Sequence, residues 1–180
     1  AFDAAVEAGV AEGRIGAGAG ATVGKVLGPP GAMRGGFGAA TVRLPGGLVV
    51  AAGVAVNAFG NVVDPATGRF VAGALDGQGD IADAERIVLA GALRERFVEA
   101  ASNTTLGLVV TNGRLGPRAC GRAAVLASQA FPLCIRPCQT AVDGDLVAVV
   151  SAGDVPTAPH QIGLAGREAL ARAIVRAATV

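Results

Sequence analysis

Tryptophan and tyrosine are both absent, and aromatic residues make up only 3% of the sequence. A core without large rings must be filled by aliphatic side chains, and much of the 52% apolar content here is alanine and valine. This composition predicts tightly packed layers of small side chains. The chain also lacks an excess of charge of either sign: 15 basic and 14 acidic residues leave a net charge of +1. That balance gives no electrostatic case for nucleic acid or an anionic membrane as partner. No apolar run approaches the roughly 20 residues of a membrane-spanning helix, so membrane association is not expected. The one histidine, His160, lies between Pro159 and Gln161. It reads as a loop residue, with nothing nearby to make it a catalytic base. The three cysteines, Cys120, Cys134 and Cys138, are odd in number and outside any recognised disulfide framework. A reducing, cytoplasmic compartment is therefore the expectation. Cys134-Ile-Arg-Pro-Cys138 lacks zinc-type spacing, and neither a metal nor a cofactor is expected. The chain starts in mid-pattern at Ala1-Phe2-Asp3-Ala4-Ala5 with no initiator methionine or signal peptide, and it reads as a fragment.

What is abundant is glycine, 28 residues, about twice the usual share of roughly 7%. The glycines cluster between Gly13 and Gly60 without a period, which excludes collagen. The 180 residues suit a single domain. Residues 1–38 read mostly as loop with short strand pieces. Residues 39–59 predict two strands joined by a hairpin at Pro45-Gly46-Gly47, with Asn57 at the end of the second. From Asn61 to Ser102 the pattern weakens into an exposed connector, with a helix between Ile81 and Glu99. Thr104 to Thr111 is the clearest strand, with Thr104, Leu106, Leu108 and Val110 on one face and Thr105, Gly107, Val109 and Thr111 on the other. Pro117 opens a helix running to about Ala130, and Asp143 to Ser151 supplies a further strand. An amphipathic helix from about Ile162 to Ala178 directs Ile162, Ala169, Ala173 and Ala177 inward.

Four segments carry candidate chemistry. Gly16-Ala-Gly18-Ala-Gly20-Ala-Thr-Val-Gly24-Lys25 has the look of both a dinucleotide-binding fingerprint and a phosphate-binding loop. Each needs a strand before it and a helix after it, whereas Val-Leu-Gly-Pro-Pro follows Lys25, and Val26 stands where a phosphate loop requires Ser or Thr. A glycine-rich loop with close backbone packing is the plainer reading. Asn103-Thr104-Thr105 admits three readings: a glycosylation acceptor, a turn opening a strand, or a scissile bond before an N-terminal nucleophile. In the last, the Thr104 hydroxyl attacks the Asn103 carbonyl, and the amine released, with an ordinary pKa of about 7.7–8.0, later serves as base to its own hydroxyl. Asp143-Gly144-Asp145 is either a solvated turn or a source of carboxylates that orient a hydroxyl or an amine. Asn57 is either a turn former or an amide donor to an oxyanion.

Taken together and in order, the segments resemble the self-processing peptidase family of L-aminopeptidase/D-esterase and the β-peptidyl aminopeptidases. The resemblance rests on Glu12-Gly-Arg-Ile-Gly-Ala-Gly-Ala-Gly-Ala-Thr-Val-Gly-Lys25, Arg34-Gly-Gly-Phe-Gly-Ala-Ala40, Val54-Ala-Val-Asn-Ala-Phe-Gly60, Asn103-Thr-Thr-Leu-Gly-Leu-Val-Val-Thr111 and Thr140-Ala-Val-Asp-Gly-Asp-Leu-Val147. It spans nearly the whole chain, more loosely over about 61–100. The likeness is to the C-terminal half of such proteins. It implies an α+β fold, a layered αββα sandwich of which this chain is a portion, cut between Asn103 and Thr104 into 1–103 and 104–180. It implies Thr104 as nucleophile, Asn57 as oxyanion donor and Asp145 as the acidic neighbour. Asp143 stands where well-known members have a serine, and a family tyrosine has no counterpart here. Expected substrates are short peptides, amides or esters, and the expected assembly is a homo-oligomer of the processed heterodimer. The alternatives are an ornithine-acetyltransferase-like acyltransferase of related fold and a non-catalytic paralogue.

Overall fold

A computed structural model describes residues 9–91 and 103–180. Its centre is a four-stranded sheet built from β3 (Gly36–Arg43), β4 (Val49–Val56), β9 (Leu106–Gly113) and β11 (Leu146–Val155), in the order β11-β9-β4-β3. β3 and β4 form the expected antiparallel hairpin, with Gly36 opposite Val56 and Arg43 opposite Val49. The connection turns at Gly46 and Gly47, both at positive φ, a conformation glycine adopts without steric cost. β4 pairs antiparallel with β9, and β9 pairs parallel with β11.

Two helices cover one face of this sheet: α2 (Pro117–Ala127) and the long α4 (Pro159–Thr179). Both have proline in the first turn, where its missing N–H leaves no helical bond unmade. α4 begins earlier than its apolar period suggests, because Pro159 sets the start. His160 thus lies in the first helical turn and not in a loop. Ile162, Ala169, Ala173 and Ala177 are buried as the pattern predicts, together with Leu170 and Ile174. Each large aliphatic side chain contributes about 1.5–3 kcal/mol of transfer free energy. The alanines and glycines contribute by allowing close approach: at Gly38 of β3, an added Cβ would collide with the Ala173 carbonyl of α4. Valine at that site would push the helix off the sheet.

Smaller pieces surround this pair of layers. β1 (Thr22–Val23) pairs with β2 (Met33–Arg34), and β7 (Ala74–Leu75) pairs with β8 (Ile81–Ala82). A three-stranded sheet joins β10 (Ile135–Arg136), β5 (Asn61–Val63) and β6 (Phe70–Ala72). The weak pattern after Asn61 misled the expectation of an exposed connector. Asn61, Val62 and Val63 are all fully buried, in a run too short to show a period. The Asn61 amide donates to the Ala82 carbonyl at 2.7 Å and accepts from the Ala74 N–H at 2.9 Å, cross-linking two segments through the core. The helix expected between Ile81 and Glu99 forms as α1 (Ala84–Leu89), capped by the Asp83 carboxylate, which accepts from the N–H groups of Glu85 and Arg86; the remainder of that stretch lies outside the described residues. The helix predicted to reach Ala130 stops at Ala127, and a separate turn of helix, α3 (Ala130–Cys134), follows.

The opposite face of the central sheet carries no helix among the described residues. Leu106, Leu108 and Val110 of β9 and Leu146 and Val150 of β11 are exposed there, Leu146 to 60%. The alternation read from the sequence is observed, with Gly107, Val109 and Thr111 turned towards the helices. A contiguous apolar row of this kind is what a second sheet covers in a layered sandwich. Among the described residues, no helix is long and apolar enough to cross a membrane.

The N-terminal loop is tied to the end of α4 by one ion pair. Arg176 donates to both carboxylate oxygens of Glu12, and the Ala39 N–H of β3 donates to the same group at 2.7 Å. The Arg176 hydrogen bond, aided by that of Ala39, holds the Glu12 carboxyl down to about 2, against its ordinary 4.5. A group with a depressed folded pKa contributes stability that is present above its unfolded pKa and lost as pH falls through the folded one. Glu12→Gln should therefore lower the melting temperature at pH 7, and the gap to wild type should close between pH 4.5 and 2, as read by thermal melts across that range.

Candidate active site

The entries to β9 and β11 lie side by side. Their parallel register begins with Leu106 opposite Leu146 and is extended backwards by a parallel bridge between Asn103 and Asp143. Through this extension the Asn103 carbonyl accepts a hydrogen bond from the Gly144 N–H at 2.8 Å, and the Leu146 N–H donates to the Thr105 carbonyl at 3.0 Å. From the other side, the Thr104 N–H donates to the Asn57 carbonyl at 2.9 Å. The peptide between Asn103 and Thr104 is thus engaged at both its oxygen and its nitrogen. Thr104 Oγ1 lies against Gly144, where an added Cβ would come within 2.8 Å of it. Glycine here leaves space for the hydroxyl.

Both carboxylates of Asp143-Gly144-Asp145 are anchored. Asp145 accepts from the Thr105 N–H at 2.9 Å and from the Gln139 N–H at 3.4 Å. Burial pushes its carboxyl up from the ordinary carboxylate value; the Thr105 N–H opposes this and the neighbouring Asp143 adds to it. Asp143 accepts from the Thr140 hydroxyl at 2.6 Å and the Thr140 N–H at 3.0 Å through one oxygen, and from the Phe59 N–H at 3.4 Å through the other. Thr104, Asn57, Asp143 and Asp145, from three distant parts of the sequence, thus lie around one bond. Asn103 is buried, its side-chain amide donating to the Val142 carbonyl at 3.3 Å.

Two further groups at the site were not singled out from the sequence, although both lie within quoted segments. One is the main-chain N–H of Gly144, which carries no side-chain letter to read. The other is Lys25, the last residue of the segment considered above as a phosphate loop. Gly24 has φ 71° and packs so closely on Gly73 that an added Cβ would overlap its backbone. That turn lets the Gly24 and Lys25 N–H groups bond the carbonyls of Gly60 and Phe59. Lys25 is thereby delivered to Asn57: its Nζ donates to Asn57 Oδ1 at 2.6 Å, and the Thr22 N–H donates to the same oxygen at 3.2 Å. The lysine is only 8% exposed. Burial pulls its amine down to about 8, with the Asp143 charge acting against that shift.

The cysteines stand apart from this chemistry. Burial pushes the Cys134 thiol up to about 12 and the Cys138 thiol up to about 11, so both remain protonated and weakly nucleophilic near neutrality. Among the described residues, no three His, Cys, Asp or Glu side chains converge in a manner able to hold a metal ion. The arrangement around Thr104 is suited to acyl transfer: a hydroxyl adjoins an amide, and the Gly144 N–H is directed at the oxygen that would gain charge.

Comparison with known proteins shows the family and the fold. Residues 1–180 match the model of Peptidase family S58. The chain is 36% identical over 199 residues to an uncharacterized aminopeptidase of Mycobacterium leprae (strain TN), an alignment covering 97% of this chain and 51% of that protein. It is 34% identical over 164 residues to an uncharacterized aminopeptidase of Mycobacterium tuberculosis (strain ATCC 25618 / H37Rv), covering 81% and 48%. The chain thus spans about half the length of the curated relatives it matches. Among solved structures it resembles a Burkholderia sp. beta-aminopeptidase, with TM-score 0.59, 22% identity, and coverage of 98% of this chain and 48% of that one. It also resembles the L-aminopeptidase D-Ala-esterase/amidase of Ochrobactrum anthropi, with TM-score 0.61, 19% identity, and coverage of 98% and 47%. At these identities the structural likeness shows the fold, that of Ntn-hydrolase-like aminopeptidases, while the family match extends over every residue: the chain belongs to Peptidase family S58.

Proposed function

We propose that the protein carrying this chain is a self-processing aminopeptidase that removes N-terminal residues from short peptides, amides or esters, with Thr104 as its nucleophile. The observation that carries the reading is the two-sided hold on the Asn103–Thr104 peptide, with Gly144 N–H on its oxygen at 2.8 Å and the Thr104 hydroxyl against the same glycine. In processing, Thr104 Oγ1 attacks the Asn103 carbonyl carbon, and Gly144 N–H receives the negative charge that develops on the carbonyl oxygen. The C–N bond breaks as the nitrogen takes up the proton that the Thr104 hydroxyl gives up on attack, leaving Asn103 as an ester on the threonine. Water then hydrolyses that ester, giving 1–103 with a new carboxylate and 104–180 with a free α-amine.

Turnover reuses the same atoms. The α-amine of Thr104 has an ordinary pKa of about 7.7–8.0, so a substantial neutral fraction can take the proton from the hydroxyl as it attacks a substrate carbonyl. Asn57 supplies a side-chain amide to the oxyanion. Asp145 holds the Thr105 N–H, which sets the direction of the chain leaving the nucleophile. The leaving amine departs with a proton, and water hydrolyses the acyl-threonine. The apolar sheet face bearing Leu106, Leu108 and Leu146 receives the second sheet of the sandwich, which completes the substrate pocket.

The complete gene product should therefore appear by intact mass as two chains divided between Asn103 and Thr104. Thr104→Ala should leave one uncut chain without hydrolytic activity, and Thr104→Ser should process and turn over at a reduced rate. Cleavage that persists in the alanine variant would remove Thr104 from the mechanism. Gly144→Ala should slow processing about 100-fold, because displacing a reacting group by around 1 Å costs that much; a wild-type rate in a time course of intact mass would show that the tight fit at Gly144 does not govern the hydroxyl.

A further inference from the structure

Resting on the assignment of Thr104 as nucleophile, we infer that Lys25 is a positioning residue, which acts through Asn57 by fixing which end of its side-chain amide faces the reacting carbonyl. The inference starts from a property of amides. The two ends of an Asn side chain are nearly identical in shape, but one only accepts hydrogen bonds and the other only donates. An Asn serves an oxyanion only with Nδ2 towards it. Turned by half a rotation, the same residue would present Oδ1 and repel the developing charge.

Among the described residues, two groups that donate address the side-chain oxygen of Asn57. Lys25 Nζ lies 2.6 Å from Oδ1, and the Thr22 main-chain N–H lies 3.2 Å from it. Both are donors only, so the flipped amide would set N–H groups against N–H groups in a part-buried site. The bond from lysine is charge-assisted and correspondingly strong. It also draws electron density towards Oδ1, which makes the Nδ2 hydrogens better donors to an anion. The residue so oriented is the one whose main-chain carbonyl holds the Thr104 N–H at 2.9 Å, so amide and nucleophile belong to one rigid unit.

The structure supports this lysine at some expense. The lysine as a residue is only 8% exposed, and this burial disfavours the charged form of its amine. Among the described residues, Asp143 acts on it with a charge that favours the protonated amine, and its carboxylate is itself held by Thr140 and Phe59. The main chain on either side of Lys25 is fastened to the segment that follows Asn57, through Gly24 to Gly60 and Lys25 to Phe59. Lysine and asparagine therefore cannot drift apart while this region stays folded.

The test is a double-mutant cycle in the complete gene product, read by the first-order rate of chain splitting and by kcat and KM on a panel of aminoacyl p-nitroanilides. Asn57→Ala should reduce splitting and kcat by about 10²–10³-fold, the usual effect of removing one oxyanion donor. Lys25→Met, which keeps the length but not the donor, should reduce kcat at least 10-fold with KM little changed, and Lys25→Gln, a neutral donor, should recover part of that loss. The Lys25→Met/Asn57→Ala double variant should be no slower than Asn57→Ala alone, since a residue acting only through Asn57 has nothing left to act on. Losses that multiply in the double variant, or a wild-type kcat in Lys25→Met, would overturn the inference. So would loss of the native melting transition in both Lys25 variants, which would make the lysine a folding residue. Thr104→Ala, run alongside, separates the two proposals: splitting in that variant removes the nucleophile, whereas multiplicative losses with Thr104→Ala uncut remove only the role of Lys25.

Discussion

Everything at the candidate site hangs on how the chain enters β9. The hydrogen bonds from Gly144 to Asn103 and from Thr104 to Asn57 are both main-chain bonds, so register places the Asn103–Thr104 peptide. Side chains refine an arrangement that the backbone has already made. Alternation then separates two adjacent threonines: Thr105 is fully buried, whereas Thr104 remains part-exposed, in step with the open face that carries Leu106 and Leu108. A shift of one residue would exchange them. The parallel ladder from Leu106 to Thr111 against Leu146 to Ser151 makes such a shift costly, because every pair along it would have to break.

Small residues make this geometry possible elsewhere in the molecule. Glycine and alanine let α4 lie close against β3, and glycine lets the loop around Gly24 lie on Gly73. The same economy operates at Gly144, where the absent side chain becomes the place of a hydroxyl. A chain with almost no large rings fills its core with Val, Ile, Leu and Ala, and backbones approach closely as a result. The glycine-rich segment that looked like a phosphate loop serves this packing. It ends in Lys25, directed at an asparagine side chain.

The charges around Thr104 are arranged in tension. Lys25 is drawn towards neutrality by burial and held charged by Asp143, while Asp145 is pushed towards protonation by burial and by the same Asp143. One carboxylate thus opposes the neutralisation of Lys25 and promotes that of Asp145. Groups whose burial and neighbours shift them from ordinary values are the kind that acyl-transfer sites collect.

The strands and helices with a sustained period were legible in the sequence: β3, β4, β9, β11, α2 and most of α4 stand where alternation or helical spacing placed them. Asn57, Asn103, Thr104, Asp143 and Asp145 were singled out through motifs in a family's order, and the structure brings them close together. Short buried segments were not legible. Asn61–Val63 is too brief to express a period, and its burial arises from pairing with Ile135–Arg136 and Phe70–Ala72, partners that no local pattern identifies. The start of α4 was misjudged because proline, and not apolar spacing, sets it. What the residues alone determined is the chemistry available: a hydroxyl, an amide, two carboxylates and the strands that bear them. What only tertiary structure decided is which donors face which acceptors. The bond from Gly144 to Asn103 and that from Lys25 to Asn57 join residues 41 and 32 positions apart; their formation depends on sheet register and close packing, and those are properties of the assembled chain.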